Sequence, residues 1–214
     1  MEYDYIIVGA GSAGCVMANR LSADGKHKVL VLEAGKKSNF WTQFPISFAL
    51  LLDDPKANWR FRSEPEEGTA NRVIPVPRGK VLGGSSAING LVYVRGQPMD
   101  YDTWAQRGNH GWGFADVLPY FRRAEMRIGE GDDTFRGRDG PLAVTDIDWS
   151  HPLTEAFIEG AQTIGIPRNP DYNGERQEGI TYSQRTILNG RRMSTARAYL
   201  HPARKRPNLR VITK

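Results

Sequence analysis

Two glycine-rich segments carry residue types and spacings that bind nucleotide phosphates. The first is Gly9-Ala-Gly-Ser-Ala-Gly14, and the second is Gly79-Lys-Val-Leu-Gly-Gly-Ser-Ser86, about seventy residues further along the chain. In the first segment, Gly9 permits a tight turn, Gly11 lets backbone amides approach a pyrophosphate, and Gly14 lets a helix pack closely on a strand. The predicted chemistry is the binding of a dinucleotide at a helix N-terminus, where free N–H groups and the helix dipole favour an anion.

The segments around the first glycine turn follow the order that a dinucleotide-binding fold requires. Residues 3–8 predict a short buried strand, and residues 15–21 predict a helix packed on it. A second strand is predicted for residues 28–32, and it ends in Glu33, nineteen residues after Gly14. A carboxylate at this place accepts the hydroxyls of an adenosine ribose and disfavours the 2′-phosphate of NADP. The alternative is a βαβ unit with a glycine turn and no ligand.

The second glycine segment has two interpretations. Small residues 83–86 precede the mostly apolar segment 87–94, so backbone N–H groups and hydroxyls converge at a predicted helix start. Such a site suits a phosphate or a flavin ring, because no side chain blocks a flat ligand. The alternative is a glycine loop that serves a tight crossing of two elements.

The remaining chain predicts a mixture of short strands and helices with a domain change near Pro141 and a return near Gly190. Asp116 is the predicted N-cap of one helix, and residues 153–164 predict an amphipathic helix. Strands are predicted for residues 59–63, 72–77, 141–145, 181–188 and 208–213, and a helix for residues 194–200.

Composition is that of an ordinary globular protein. The 214 residues are 39% hydrophobic and 25% charged, and no apolar run has the length of a membrane span. The N-terminus carries Glu2 and Asp4 and predicts no secretory signal, and the single cysteine, Cys15, is predicted to be a buried packing residue, so we expect a cytoplasmic protein.

The net charge of +5 and the pI of 9.4 arise largely from a late basic cluster. We interpret this cluster as a solvated face, with anionic lipid or a cofactor phosphate as alternatives. We expect no nucleic-acid partner, because no recognition motif accompanies the charge. The cluster consists of Arg191, Arg192, Arg197, Arg204, Lys205 and Arg206.

With both glycine segments in place, the chain resembles the glucose-methanol-choline (GMC) family of FAD-dependent alcohol oxidoreductases. Residues 79–96, followed by Asp102, are similar to the first family signature throughout. The resemblance implies an α/β fold, a Rossmann-like FAD-binding domain of the GMC type with the beginning of an α+β substrate domain, in a truncated chain. It implies an FAD-binding domain at 1–140, part of a substrate-binding domain at 141–189, and a return to the FAD-binding domain at 190–214. Further similar stretches are 77–80, 111–114, 117–121, 140–142, 190–194 and 198–200.

The resemblance also implies the residues that bind FAD. The adenosine ribose is expected at Glu33 and the adjoining Ala34. Some family members attach FAD covalently through a histidine, and Ile88 holds the matching position here, so non-covalent FAD is expected and no metal. The pyrophosphate residues are Gly9, Gly11, Ser12, Ala13 and Gly14, and those of the flavin side are Gly79, Val81, Gly84, Ser85, Asn89, Gly90 and Val92.

The implied activity is the oxidation of a small-molecule alcohol, with hydride transfer to flavin N5 and proton transfer to a base. The base of the family is a histidine in a C-terminal motif, and none of His27, His110, His151 and His201 lies in that motif. We therefore expect no catalytic residue in this chain and an inactive isolated chain. The alternatives are a non-catalytic FAD-binding module and an NAD-dependent enzyme that uses only the first glycine turn. The electron acceptor and any peripheral association with the inner membrane are left open.

Overall fold

The computed structural model describes residues 2–37 and 39–214, and the chain divides into two compact units. Unit 1 comprises Met1–Leu91 and Ile187–Lys214, and unit 2 comprises Val92–Thr186. The sequence predicts domain boundaries at residues 140 and 189, with FAD binding by the outer segments and substrate binding by the middle one. This division by function stays a prediction. In the part of the chain that the structure describes, no helix is long and apolar enough to cross a membrane.

The chain forms short strands and helices in a mixed order. A 3₁₀ turn lies at Gly84–Ala87, and a π-helical turn at Ala196–Leu200 continues directly into the last helix. The strands are β1 (Tyr5–Val8), β2 (Val29–Glu33), β3 (Phe61–Arg62), β4 (Pro75–Val76), β5 (Glu125–Ile128), β6 (Leu142–Thr145), β7 (Ile187–Leu188), β8 (Arg191–Arg192) and β9 (Leu209–Thr213). The helices are α1 (Ser12–Leu21), α2 (Phe48–Asp53), α3 (Pro98–Gln106), α4 (Phe114–Ala124), α5 (Pro152–Thr163) and α6 (His201–Ala203).

A parallel three-stranded sheet in the order β1–β2–β9 forms the centre of unit 1. The register aligns Ile7 with Val31 and Val31 with Val211. The predicted final strand of the sequence therefore does return to the sheet of the first glycine turn. Parallel pairing of β1 and β2 requires a crossover connection, and α1 supplies it.

Helix α1 packs closely on β1 because its buried residues are small. Gly14, Cys15 and Ala18 are buried, and a Cβ on Gly14 would lie 2.0 Å from the carbonyl oxygen of Gly9. The Cys15 thiol donates to the carbonyl oxygen of Ala10 at 3.2 Å, and burial raises its pKa to about 11. The predictions of a helix on β1 and of a buried Cys15 are confirmed.

The opposite face of the sheet is open. Val8 is 85% exposed and Ile6 58% exposed, whereas Ile7, on the α1 side, is buried. Leu32 and Ile212 extend the same apolar face and are also exposed. The prediction of a strand at residues 3–8 is confirmed in position but wrong in burial, because only one side of the strand is covered by described residues.

Unit 2 contains a second parallel pair, β5 with β6. Its start is fixed by a buried ion network, in which Glu125 pairs with Arg95 at 2.6 Å and with Arg136. All three side chains are at most 4% exposed. The sequence predicts β6 but not β5, because a buried glutamate between arginines does not have the apolar pattern of a strand.

Several predicted boundaries in both units are corrected by local hydrogen bonds. Gly113, not Asp116, is the N-cap of α4, since the Asp116 carboxylate sits three residues later and accepts from the Gly113 N–H at 3.1 Å. The predicted helix start after the second glycine segment is a single 3₁₀ turn. The strand predicted at 181–188 is reduced to β7, which pairs with β8 in a short antiparallel hairpin. In α5, Ile158 is buried as predicted, but Phe157 on the same predicted stripe is exposed.

Candidate functional site

The first glycine turn leaves the N-terminus of α1 free of protein caps. Gly11 is the N-cap and offers no side chain, and the first turn of the helix contains no acidic residue. A Cβ on Gly9 or Gly11 would meet no described atom within 4 Å, so the space beside the turn is open. Unpaired N–H groups and the positive end of the helix dipole therefore face a site that an anionic group can enter.

The second glycine turn contacts the first directly. The Gly83 N–H donates to the carbonyl oxygen of Ala10 at 2.7 Å, and a Cβ on Gly84 would lie only 2.7 Å from the Cα of Gly11. Gly83 and Gly84 both have positive φ angles, 92° and 52°, which glycine adopts at little cost. The two glycine segments therefore cross tightly, and the crossing places the 3₁₀ turn beside the N-terminus of α1.

Ser85 and Gly79 fix the second turn internally. The Ser85 hydroxyl oxygen accepts from the Gly79 N–H at 3.1 Å, and a Cβ on Gly79 would lie 2.1 Å from the carbonyl oxygen of Gly84. Any larger residue at position 79 would therefore push the two halves of this turn apart. Both residues belong to the predicted flavin side, and the structure gives each a role in the shape of the turn.

Glu33 lies at the carboxyl end of β2, next to the first turn. One of its carboxylate oxygens accepts from the Ala10 N–H and the other from the Gly35 N–H, each at 2.7 Å. Each oxygen keeps a second lone pair for a further donor. Ala34, which follows it, is exposed. The structure therefore brings the carboxylate predicted for the ribose to the edge of the first glycine turn.

Asn89 and Gly90 follow the 3₁₀ turn and are exposed. Arg192 fixes this segment, because its Nη1 donates to the carbonyl oxygen and to the side-chain oxygen of Asn89, at 2.7 and 2.8 Å. The Asn89 side-chain oxygen also accepts from the Leu91 N–H at 3.2 Å. A Cβ on Gly90 would meet nothing within 4 Å, so this position also faces open space.

Two of the predicted residues have core positions. Val81 and Ile88 are each 2% exposed and belong to an apolar cluster with Leu51, Ala57 and Ala87. Val92 begins unit 2, where it pairs with Arg185 and is exposed. Ser12 and Ala13 are exposed at the start of α1.

The four histidines have positions that do not suggest catalysis. His27 contacts Asp24 at 3.0 Å on an exposed turn, and His151 accepts from the Leu153 N–H as the N-cap of α5. His110 lies in an exposed loop of unit 2, and His201 begins α6. Among the described residues, no group of three or more His, Cys, Asp or Glu residues is arranged to hold a metal ion.

The contacts of Arg192 and Thr195 with the second turn are not predicted from the sequence, which gives Arg192 a role only in the late basic cluster. The Ser86 hydroxyl lies 2.9 Å from the Thr195 hydroxyl and accepts from the Thr195 N–H at 3.0 Å. Both residues stand more than one hundred positions away from the turn they hold. The sequence offers one indication of their importance, which is that they lie in or next to the stretch 190–194 that is similar to the GMC family. The residue types themselves do not indicate a function.

The N-terminus of α1 lies between two glycine turns that touch each other, at the carboxyl ends of parallel strands. This arrangement defines a dinucleotide-binding α/β protein. More narrowly, the chain belongs to the GMC oxidoreductase family, whose model matches residues 3–214. The predicted resemblance and fold class are confirmed. The N-terminal domain of this family binds FAD, so the predicted cofactor is confirmed as well, while its mode of attachment stays a prediction.

Similar proteins include two bacterial enzymes named oxygen-dependent choline dehydrogenase. The protein of Photobacterium profundum is 50% identical over 213 residues, which are 98% of this chain and 37% of that protein. The protein of Rhizobium rhizogenes is 49% identical over 99% of this chain and 39% of its own length. The chain thus spans well under half the length of these relatives.

Solved structures show the same fold. Pyridoxine 4-oxidase from Mesorbium loti has a TM-score of 0.92 at 36% identity, over 99% of this chain and 42% of that one. An FAD-dependent oxidoreductase from Chaetomium thermophilum has a TM-score of 0.89 at 30% identity, over 99% of this chain and 38% of that one.

Proposed function

We propose that this chain binds one FAD across its two glycine turns and that it forms the cofactor-binding part of an enzyme that oxidises the CH–OH group of a small alcohol. The contact between Gly84 and Gly11 is the observation that carries the proposal. It places the second turn directly beside an uncapped helix N-terminus, and the space next to Gly9 and Gly11 is open.

Each part of an FAD molecule has a matching group in the two turns. The N–H groups of Ser12, Ala13 and Gly14 bind the pyrophosphate, since they have no cap of their own. Glu33 and Ala34 bind the adenosine ribose, and the second oxygen lone pairs of Glu33 accept its hydroxyls. The second turn, with Gly79, Val81, Gly84 and Ser85, and the following Asn89, Gly90 and Val92, border the flavin side.

Val81 supports the flavin side through packing and not through a polar contact. Its side chain is buried in the cluster of Leu51, Ala57, Ala87 and Ile88. Attachment of FAD is non-covalent, because Ile88 has no nucleophilic atom and is itself part of this cluster. The FAD-binding part comprises 1–140 and 190–214, and 141–189 is part of the substrate-binding domain.

Bound FAD supplies the hydride acceptor, N5 of the isoalloxazine. The residues of this chain bind and orient: Arg192 fixes Asn89, and Thr195 fixes Ser86, so the flavin side of the site is preorganised. A general base that accepts the hydroxyl proton is expected from outside these 214 residues. Loss of a positioned base removes about 10² to 10⁴ in rate, so the chain alone should turn over alcohols poorly or not at all.

The substrate is a small alcohol, and choline is the first candidate. Choline is proposed because two relatives that are 50% and 49% identical to this chain are named choline dehydrogenases. The buried free thiol of Cys15 is compatible with the reducing cytoplasm, which we propose as its compartment. A non-catalytic FAD-binding module remains the second candidate, favoured by the positions of the four histidines.

The test combines cofactor identity with turnover. The full chain is refolded with excess FAD, NAD or NADP, and bound cofactor is measured after gel filtration. We expect one FAD per chain and no NADP; protein that remains colourless in excess FAD would refute the proposal. The FAD-loaded chain is then mixed with choline or ethanol and an artificial electron acceptor. Turnover equal to that of a complete choline dehydrogenase would show that the base lies within this chain.

A further inference from the structure

A cavity of about 340 Å³ in unit 1 has a strongly cationic lining. Four basic side chains border it, Lys37, Arg191, Arg192 and Arg197. No aspartate or glutamate is found in this lining, as far as the structure describes the chain. The basic cluster is interpreted from the sequence as a solvated face. Solvation alone does not explain why several of its side chains border a cavity.

Arg192 is the unusual member of this lining. It is 2% exposed, and its Nε and Nη2 are buried without any hydrogen-bond partner among the described residues. Its Nη1 bonds only to neutral oxygens, those of Ser86 and Asn89. Burial lowers its pKa to about 10. An unpaired buried charge is costly, and native structures normally compensate it with a counter-charge.

His201, another residue of the lining, is also close to positive charges. The pKa of His201 is lowered by burial and by the charges of Arg204 and Arg197. Arg197 uses its Nη1 to cap the carbonyl oxygens of Leu188, Arg191 and Arg192, which fixes its charge at the cavity. Unpaired cations that converge on a concave site are the usual elements of an oxyanion site.

We propose that this cavity binds a small oxyanion, a phosphate or a phosphate monoester, at a site distinct from that of FAD, with Val81 of the proposed flavin side as a shared wall residue. Lys37 and Arg191 are exposed, so they make the direct contacts. Arg192 is covered from solvent and acts through its charge across the low-dielectric wall of the cavity. The anion thereby supplies the counter-charge that Arg192 lacks among the described residues.

The first test is a titration of the full apo chain with inorganic phosphate at constant ionic strength. The melting temperature of the chain is measured at each phosphate concentration. The double variant Lys37→Gln/Arg191→Gln should raise the phosphate concentration of half-maximal effect about tenfold, since two charge-assisted contacts are lost. The double variant Lys56→Gln/Lys205→Gln removes the same charge from exposed positions outside the cavity and should leave it unchanged. Equal weakening in both would show binding of an adventitious ion only and would overturn the proposal.

The second test separates this site from the flavin site. The titration is repeated with FAD bound, and the histidine resonances are followed by NMR. A phosphate effect that persists with FAD, together with a rise in the pKa of His201, supports a separate site, because a nearby anion stabilises the imidazolium. Displacement of phosphate by FAD would assign the cavity to the cofactor and refute the proposal. Failure of FAD binding alone, with the phosphate effect intact, would refute only the proposed function.

Discussion

Glu33 bonds to the protein through both of its carboxylate oxygens. The Ala10 and Gly35 N–H groups each donate to one oxygen, so the carboxylate is preoriented at the end of β2. A side chain that is already fixed loses little conformational entropy when a ribose binds. Its position therefore matters as much as its charge.

The variant Glu33→Gln tests whether the orientation and charge of the Glu33 carboxylate contribute to FAD binding. An amide presents an NH₂ group to one of the two backbone donors, so one hydrogen bond is lost and the side chain must turn. We expect FAD affinity to fall about tenfold, or about 1.4 kcal/mol, as measured by quenching of flavin fluorescence. Glu64→Gln changes an exposed acid of unit 1 and is the control. Equal affinity of the two variants would show that Glu33 does not contact FAD.

Cys15 gives a prediction of reactivity and of pH dependence. Its pKa is raised from 9.0 to about 11 by burial, so the native thiol holds little thiolate at pH 8. We expect reaction with DTNB about one hundredfold slower in the native chain than in urea, and a free energy of unfolding that decreases as the pH rises from about 9 through about 11. The sign follows because the unfolded state loses its proton first. Rapid reaction of the native chain would show that α1 does not cover the thiol.

At the scale of elements, the strands of unit 1 that carry the site were readable from the sequence, and those of unit 2 less so. The positions of β1, α1, β2 and β9 follow from apolar runs and glycine spacing, which reflect local backbone requirements. In contrast, β5 depends on Glu125, whose partners Arg95 and Arg136 lie 30 and 11 positions away in loops with no apolar pattern. Arg192 shows the same limit within the site, since its contact with Asn89 spans 103 positions. Residue type alone gives no signal of such long-range pairs.

The Glu125 network predicts the stability of β5. Glu125 accepts from Arg95, from Arg136 and from the Gly137 N–H, and its side chain is fully buried. Glu125→Gln keeps the shape and removes the charge, which leaves buried Arg95 without its paired carboxylate and leaves Arg136 with Asp171 alone. We expect a loss of about 3 to 5 kcal/mol in the free energy of unfolding, measured with urea. Glu130→Gln, at an exposed position of the same unit, should change it by less than about 0.5 kcal/mol.

At the scale of the whole molecule, the uncovered face of the β1–β2–β9 sheet is the main irregularity. Parallel sheets are normally covered on both faces, but here Ile6, Val8 and Ile212 are exposed. The chain spans 37 to 39% of the length of its choline dehydrogenase relatives. Exposed apolar surface of this kind promotes association between chains.

Ile6→Lys should therefore reduce self-association of the 214-residue chain without loss of stability, since the side chain is 58% exposed. Light scattering across a concentration series measures the association. Val94→Lys adds the same charge at a site of equal exposure in unit 2 and separates the effect of net charge from that of the sheet face. If both variants reduce association equally, the open face is not its cause.

The most direct measurement of the central claim is the equilibrium binding of FAD to wild type, Gly11→Ala and Gly68→Ala. A Cβ at either position meets no described atom within 4 Å, so both variants should fold normally. Gly11 borders the proposed pyrophosphate site, and a methyl group there should weaken FAD binding about tenfold or more by blocking the approach of the phosphates. Gly68→Ala should bind as wild type does. Equal binding by all three proteins would contradict the claim that the two touching turns hold the cofactor.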